Sequence, residues 1–232
     1  MNYTITENTV FPLVEVALQQ GEQIRLERGA MVYHNGDVNL EGQMNSNGSS
    51  GLGGMMKAIG RSMVSGESMF ITTATGTRKD AKLAIAPGTP GSIRELVLGN
   101  TQWRINDGAF LACDTSVTYN IKKQSVGKAL FAGTGGLFVM ETAGTGSMLI
   151  CSYGDILEIQ LDGSQPFTVD NTHVVAWTSN LNYNIKVASG TFGFKTGEGL
   201  VNEFKGVGTV LIQTRNVQSL AAMLSPFMAS KS

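Results

Sequence analysis

Apolar and polar residues alternate at three widely separated places along the chain: Val14, Val16 and Leu18; Leu96 and Leu98; Ile159 and Leu161. A period of two predicts a strand, because successive side chains leave opposite faces of a sheet. Each stretch runs into a turn, at Gln20-Gly21, Gly99-Asn100 and Asp162-Gly163, and a second strand is predicted to begin at Ile24, Trp103 and Phe167.

The segment after each second strand is similar in all three places: GAMVYHNGDVNL over Gly29–Leu40, GAFLACDTSVTYNIK over Gly108–Lys122 and THVVAWTSNLNYNIK over Thr172–Lys186. Between the last two, one constant offset relates Trp103 to Phe167, Ile105 to Val169, Phe110 to Val174 and Val117 to Leu181. A third shared element reads GESMF at Gly66–Phe70, TGGLF at Thr134–Phe138 and GEGLV at Gly197–Val201. A glycine turn comes after each, at Gly76, Gly144 or Gly206, and then a last strand such as Ser147–Cys151 or Thr209–Gln213. Self-similarity of this kind means that one supersecondary unit recurs and buries its apolar face on its neighbours. The predicted organisation is a single domain of three copies, at 1–87, 88–152 and 153–216, followed by a tail at 217–232. Short strands separated by glycine turns point to an all-β sandwich, barrel or prism, with Trp103 and Phe167 as matched core anchors.

Helix is expected in two places. Copy one carries an insertion at 43–65 that opens with the polar QMNSNGSSG of Gln43–Gly51, expected to be mobile. Leu52, Met55, Met56, Ile59 and Met63 then fall on one helical face, although Gly53, Gly54 and Gly60 each weaken a helix by up to about 1 kcal/mol relative to alanine. The second helix is Val217–Leu224, with Pro226 as its stop signal.

Composition changes this picture in one respect. Only 15% of the 232 residues are charged and 29 are glycine, against averages of about 25% and about 7%. Sparse charge means that much of the surface is covered, which favours an oligomer. The net charge of −1 offers no global attraction to phosphate backbones and argues against nucleic acid as a partner. Cys113 and Cys151 sit apart in apolar runs and read as buried reduced thiols. No basic leader precedes an apolar segment, and no run of ~18 apolar residues occurs, so a soluble, cytoplasmic protein is expected.

Candidate chemistry is thin. His34 and His173, at nearly equivalent places in copies one and three, lack a surrounding ligand cluster and read as structural or interface residues. Gly133-Thr134-Gly135-Gly136 has the glycines of a phosphate cradle without its Lys-Ser/Thr and following helix, and reads as a tight turn. Glu67 and Glu198 recur in copies one and three as solvated turn positions. No catalytic residue, metal site or cofactor is predicted. The methionine-rich insertion reads as core or subunit packing, as a self-association surface, or as a weak peripheral membrane contact, for which Lys57 and Arg61 supply little charge. As the element that breaks the repeat, it provides the candidate partner or ligand contacts Met55, Ile59, Arg61, Met63 and Glu67.

Five ordered blocks carry a family resemblance: GRSMVSGESMFITT at Gly60–Thr73, APGTPGSIREL at Ala86–Leu96, GLFVMETAGTGSMLICSYGDI at Gly136–Ile156, VDNTHVVAW at Val169–Trp177 and GEGLVNEFKGVGTVLIQTRN at Gly197–Asn216. They resemble the altered inheritance of mitochondria protein 24 family, in a bacterial-type form. The resemblance implies a fold similar to the tryptophan RNA-binding attenuation protein: a short double-stranded β-helix repeated three times, with three chains forming a ring of nine repeats. The attenuation protein's tryptophan pocket and lysine-rich rim have no matching motif here, and fold alone does not transfer function. The expected function is that of a non-enzymatic homotrimeric binding or scaffold protein. The alternatives are a nucleic-acid-binding ring, and a small-molecule binder or enzyme with an intersubunit site.

Overall fold

The computed structural model describes residues 1–6, 8–44, 70–106, 108–124, 138–188 and 199–228. Among the described residues it is all-β, with one short α-helix near the C-terminus. After β1 (Asn2–Ile5) come three sets of six strands. The first is β2 (Val14–Leu18), β3 (Gln23–Glu27), β4 (Met31–His34), β5 (Val38–Met44), β6 (Phe70–Gly76) and β7 (Ala81–Ile85). The second is β8 (Ile93–Leu98), β9 (Trp103–Asn106), β10 (Phe110–Asp114), β11 (Val117–Lys123), β12 (Phe138–Gly144) and β13 (Gly146–Cys151). The third is β14 (Ile156–Asp162), β15 (Phe167–Asp170), β16 (Val174–Thr178), β17 (Asn182–Val187), β18 (Leu200–Lys205) and β19 (Val207–Gln213).

Pairing is antiparallel and obeys one scheme in every set. The sixth strand lies between the first and the third, and the fifth lies between the second and the fourth. Sets are joined where the second strand of one meets the third strand of the next, as β3 with β10 and β9 with β16. Two complete six-stranded sheets result, β5-β6-β3-β10-β13-β8 and β11-β12-β9-β16-β19-β14. Two partial sheets remain at the ends, β1-β2-β7-β4 and β15-β18-β17. The third strand of each set carries a register shift at corresponding residues, Met31/Tyr33, Phe110/Ala112 and Val174/Ala176; such a bulge bends the strand and increases its twist.

Three apolar clusters fill the space between sheets, built chiefly by Val14, Leu18, Leu83 and Leu111; by Ile105, Phe110, Met148 and Leu211; and by Trp177, Leu181, Phe204 and Val210. The alternation read from Val14, Val16 and Leu18 is borne out, since all three are buried while Glu15 and Ala17 are half-buried. Glycine is required at Gly144, where φ is +86° and a Cβ would stand 2.5 Å from the Ser116 carbonyl oxygen.

Several expectations need correction. Trp103 and Phe167 are half-buried flank residues, whereas Trp177, Phe110 and Phe204 are fully buried, with Trp177 packed edge-on against Tyr183 at 4.8 Å and Phe204 at 5.5 Å. Gln43 and Met44, placed in a mobile loop by composition, belong to β5 through pairing with Ile71 and Phe70. His34 and His173 are not counterparts. The ladders match His34 to Trp177, while His173 ends the 3₁₀ turn Asn171–His173 ahead of β16. Its Nδ1 donates to the Gln213 carbonyl at 2.7 Å and its Nε2 accepts from the Asn216 amide at 2.9 Å. Asn216 in turn caps α1 (Val217–Leu224), its Oδ1 accepting from the Ser219 N–H at 2.7 Å.

Candidate assembly edges and an open groove

Among the described residues the pairing scheme leaves one strand exposed at each end. In the second and third sets the third strand is enclosed: Phe110, Leu111, Ala112 and Cys113 are buried, as are Val174, Val175, Ala176 and Trp177. In the first set the corresponding Met31, Val32, Tyr33 and His34 are all exposed. Val32 is 53% exposed where Leu111 and Val175 are 0% and 1%. At the opposite end, β15 pairs with β18 on one side only, although its counterparts β3 and β9 each have a third strand on the other side. An apolar edge with unpaired backbone groups is a template for another strand.

Arginine reinforces both internal joints. Arg25 donates from Nη1 to the Val117 carbonyl at 3.0 Å. One set later, Arg104 donates from Nη1 to the Leu181 carbonyl at 3.0 Å and the Ser179 carbonyl at 2.8 Å. Arg104 Nε also meets Glu141 at 2.9 Å, and its guanidinium lies 5.5 Å from the centre of the Tyr183 ring. Burial pushes the Glu141 carboxyl up, but hydrogen bonds from Lys122 and Arg104, with their charges, outweigh it and hold the group below its ordinary value. The ladders place Thr168 where Arg25 and Arg104 stand, so β15 carries no such clamp.

A groove of about 640 Å³ lies between the second and third sets. Arg94, Glu95, Leu96 and Val97 of β8 form one wall; Glu158, Thr178–Asn180, Val207–Thr209 and Leu211 form another. Arg94 reaches across to Glu158 at 2.8 Å near one end. The corresponding groove between the first and second sets is occupied by β1, whose amino terminus meets Asp114 at 2.7 Å and whose Tyr3 and Ile5 pack on the core. Burial, with Glu95 next to its hydroxyl, pushes Tyr3 up to about 12.

The candidate contacts Met55, Ile59, Arg61, Met63 and Glu67 lie outside the described residues, as do the insertion helix, Glu198 and Gly133–Gly136. Cys113 and Cys151 are buried free thiols, each pushed up to about 12 first of all by burial. Among the described residues no group of three or more His, Cys, Asp or Glu is arranged to hold a metal, and no helix is long and apolar enough to cross a membrane.

A family model described as Mitochondrial biogenesis AIM24 matches residues 3–215. The chain belongs to the AIM24 family. Its AIM24 match spans the nineteen strands of the described residues except the first residue of β1, and ends before α1. The chain is similar to an uncharacterized protein of Streptococcus pyogenes serotype M6, with 49% identity over 233 residues, covering 100% of this chain and 93% of that one. It is also similar to a Streptococcus pyogenes protein whose X-ray structure is a Northeast Structural Genomics Consortium target, with 46% identity and a TM-score of 0.81. That likeness covers 98% of this chain and 99% of the other.

Sequence reasoning missed both edges and the groove. One signal was present: Arg25 and Arg104 stand just after Ile24 and Trp103, whereas Thr168 comes after Phe167.

Proposed function

We propose that this AIM24-family chain is a non-enzymatic, cytoplasmic scaffold that closes head to tail into a ring. In this reading the three strand sets are tandem copies of a short double-stranded β-helix, with copy limits at 1–87, 88–152 and 153–216. Three chains supply nine copies, the number that the resemblance to the attenuation-protein fold implies. The carrying observation is that, among the described residues, β4 and β15 are each paired on one side only, while their counterparts pair with each other twice within the chain. Transferring the registers Ala112 with Leu26 and Ala176 with Ile105 sets Tyr33 of one copy opposite Val169 of the next, and His34 opposite Thr168. Such a heterologous contact gives a closed ring if its rotation closes and a filament if it does not. With a net charge of −1 per chain, protein rather than nucleic acid is the expected partner.

Sedimentation velocity tests the reading. The native chain should sediment as one species of about 74 kDa, three times 24.6 kDa. Val32→Lys, at an exposed position that a single chain tolerates, should reduce it to the monomer mass. A native monomer at micromolar concentration, or an unchanged mass in the variant, would refute ring closure through β4.

A further inference from the structure

We propose that the groove beside β8 is a docking site for an extended segment of a partner protein, added to the β8 edge as β1 is added to β2. The site lies wholly within one chain and so stands independently of ring closure.

The chain itself shows what such a groove holds. β2 and β8 are the first strands of their sets, each paired with a sixth strand on one side. On its other side β2 receives β1 in antiparallel register, Asn2 opposite Ala17, Tyr3 opposite Val16, Thr4 opposite Glu15 and Ile5 opposite Val14. Among the described residues β8 has no strand on that side. Matching the ladders gives Val97, Leu96, Glu95 and Arg94 as the residues an incoming strand would face.

The floor is built alike in both grooves. Beneath β1, the Ser147 N–H donates to Asp114 at 2.7 Å. In the open groove the Thr209 N–H donates to Thr178 Oγ1 at 3.1 Å. Glu95 beside Tyr3 has Glu158 as its counterpart. Val97 and Val207, 71% and 65% exposed, offer apolar contact at the lip.

The differences define the occupant. Asp114 binds the amine of Met1, just ahead of β1, and Thr178 stands in its place, so at that position the open groove offers a hydroxyl and not a carboxylate. The expected ligand is therefore an internal strand, not a chain terminus. Its inward residues are the ones facing Leu96 and Arg94. The first should be aromatic with a donor directed to Glu158, and the second aliphatic, lying along the Arg94 stem. Main-chain hydrogen bonds supply the affinity of strand addition, and alternate side chains supply the selectivity.

The probe is acetyl-Met-Asn-Tyr-Thr-Ile-Thr-amide, which repeats β1 without its amine, titrated into the full chain by fluorescence anisotropy and hydrogen-exchange mass spectrometry. Saturable binding is expected with Kd of about 1 mM or tighter, in the range of weak specific contacts. Exchange over Ile93–Leu98 should slow several-fold. Thr209→Trp, which fills the floor, should weaken binding at least tenfold, and replacing the peptide's tyrosine by proline should abolish binding to the native chain. The peptide control keeps the test decisive if Thr209→Trp folds poorly. Absence of saturable binding to about 5 mM, binding indifferent to both changes, or protection confined to Val14–Leu18 through exchange with β1 itself would overturn the proposal.

Discussion

Replacing Arg104 by methionine keeps the length of the side chain and removes its charge and donors. Three hydrogen bonds are lost, to Glu141, Ser179 and Leu181, together with the contact over Tyr183. Charge-assisted bonds contribute about 1.5–3 kcal/mol each, and breaking one half of a fully buried pair costs about 3–5 kcal/mol. Here Arg104 and Glu141 are 22% and 23% exposed and Lys122 still reaches Glu141 at 2.5 Å, so water and the lysine offset much of that loss. The expected destabilisation is about 2–4 kcal/mol, which lowers Tm by about 5–15 °C for a chain of this length.

Urea denaturation should show a lower midpoint at unchanged slope. The sign of the pH dependence is set by Glu141. Its carboxyl is held below the ordinary value by Lys122 and Arg104 against the opposing effect of burial, so its contribution is complete above about pH 4.5 and is lost as pH falls through the depressed value. The gap between native and Arg104→Met stability should therefore narrow below about pH 4.5. A loss under about 0.5 kcal/mol at neutral pH would refute the clamp.

Three further outcomes are expected. Asn202 is 1% exposed and, among the described residues, neither polar atom of its side-chain amide has a hydrogen-bond partner, while its counterpart in the second set is Met140; Asn202→Leu should raise stability by about 1–3 kcal/mol in thermal or urea unfolding. Thr168→Arg installs at β15 the side chain that clamps the two internal joints, and dilution by mass photometry should show the oligomer persisting at lower concentration than native. Iodoacetamide at pH 8 should label neither Cys113 nor Cys151 until the chain is unfolded, since both thiols are buried and pushed up to about 12.

Strand positions were legible because their causes are local. Val14, Val16 and Leu18 declare a half-buried strand by alternation, and Gly144 declares a turn by a backbone angle that disfavours other residues. The helix Val217–Leu224 was equally legible from its stop signal at Pro226. Trp103 and Phe167 stood out as the core aromatics in place of Trp177 for a related reason. Val174–Thr178 is buried at every position, so alternation carries no information about which residue faces which cluster. The edges were illegible because exposure there depends on strand order. Met31, Val32 and Tyr33 look as apolar as Phe110, Leu111 and Ala112, and they are uncovered because their set comes first. The pair His34 and His173 misled because spacing in the sequence ignored the 3₁₀ turn before β16.

Disulfide trapping at the proposed joint tests ring closure most directly. His34→Cys with Thr168→Cys places thiols at positions the transferred register sets opposite each other in adjacent copies. Opposed Cα atoms in an antiparallel pair lie about 4.5–5.5 Å apart, within the range a disulfide accepts. On mild oxidation, non-reducing electrophoresis should show dimer and trimer bands converging on a covalent trimer of about 74 kDa, three times the 24.6 kDa chain, and reduction should return the monomer. A chain that stays monomeric after oxidation, or a ladder that grows past three copies, would contradict the closed ring.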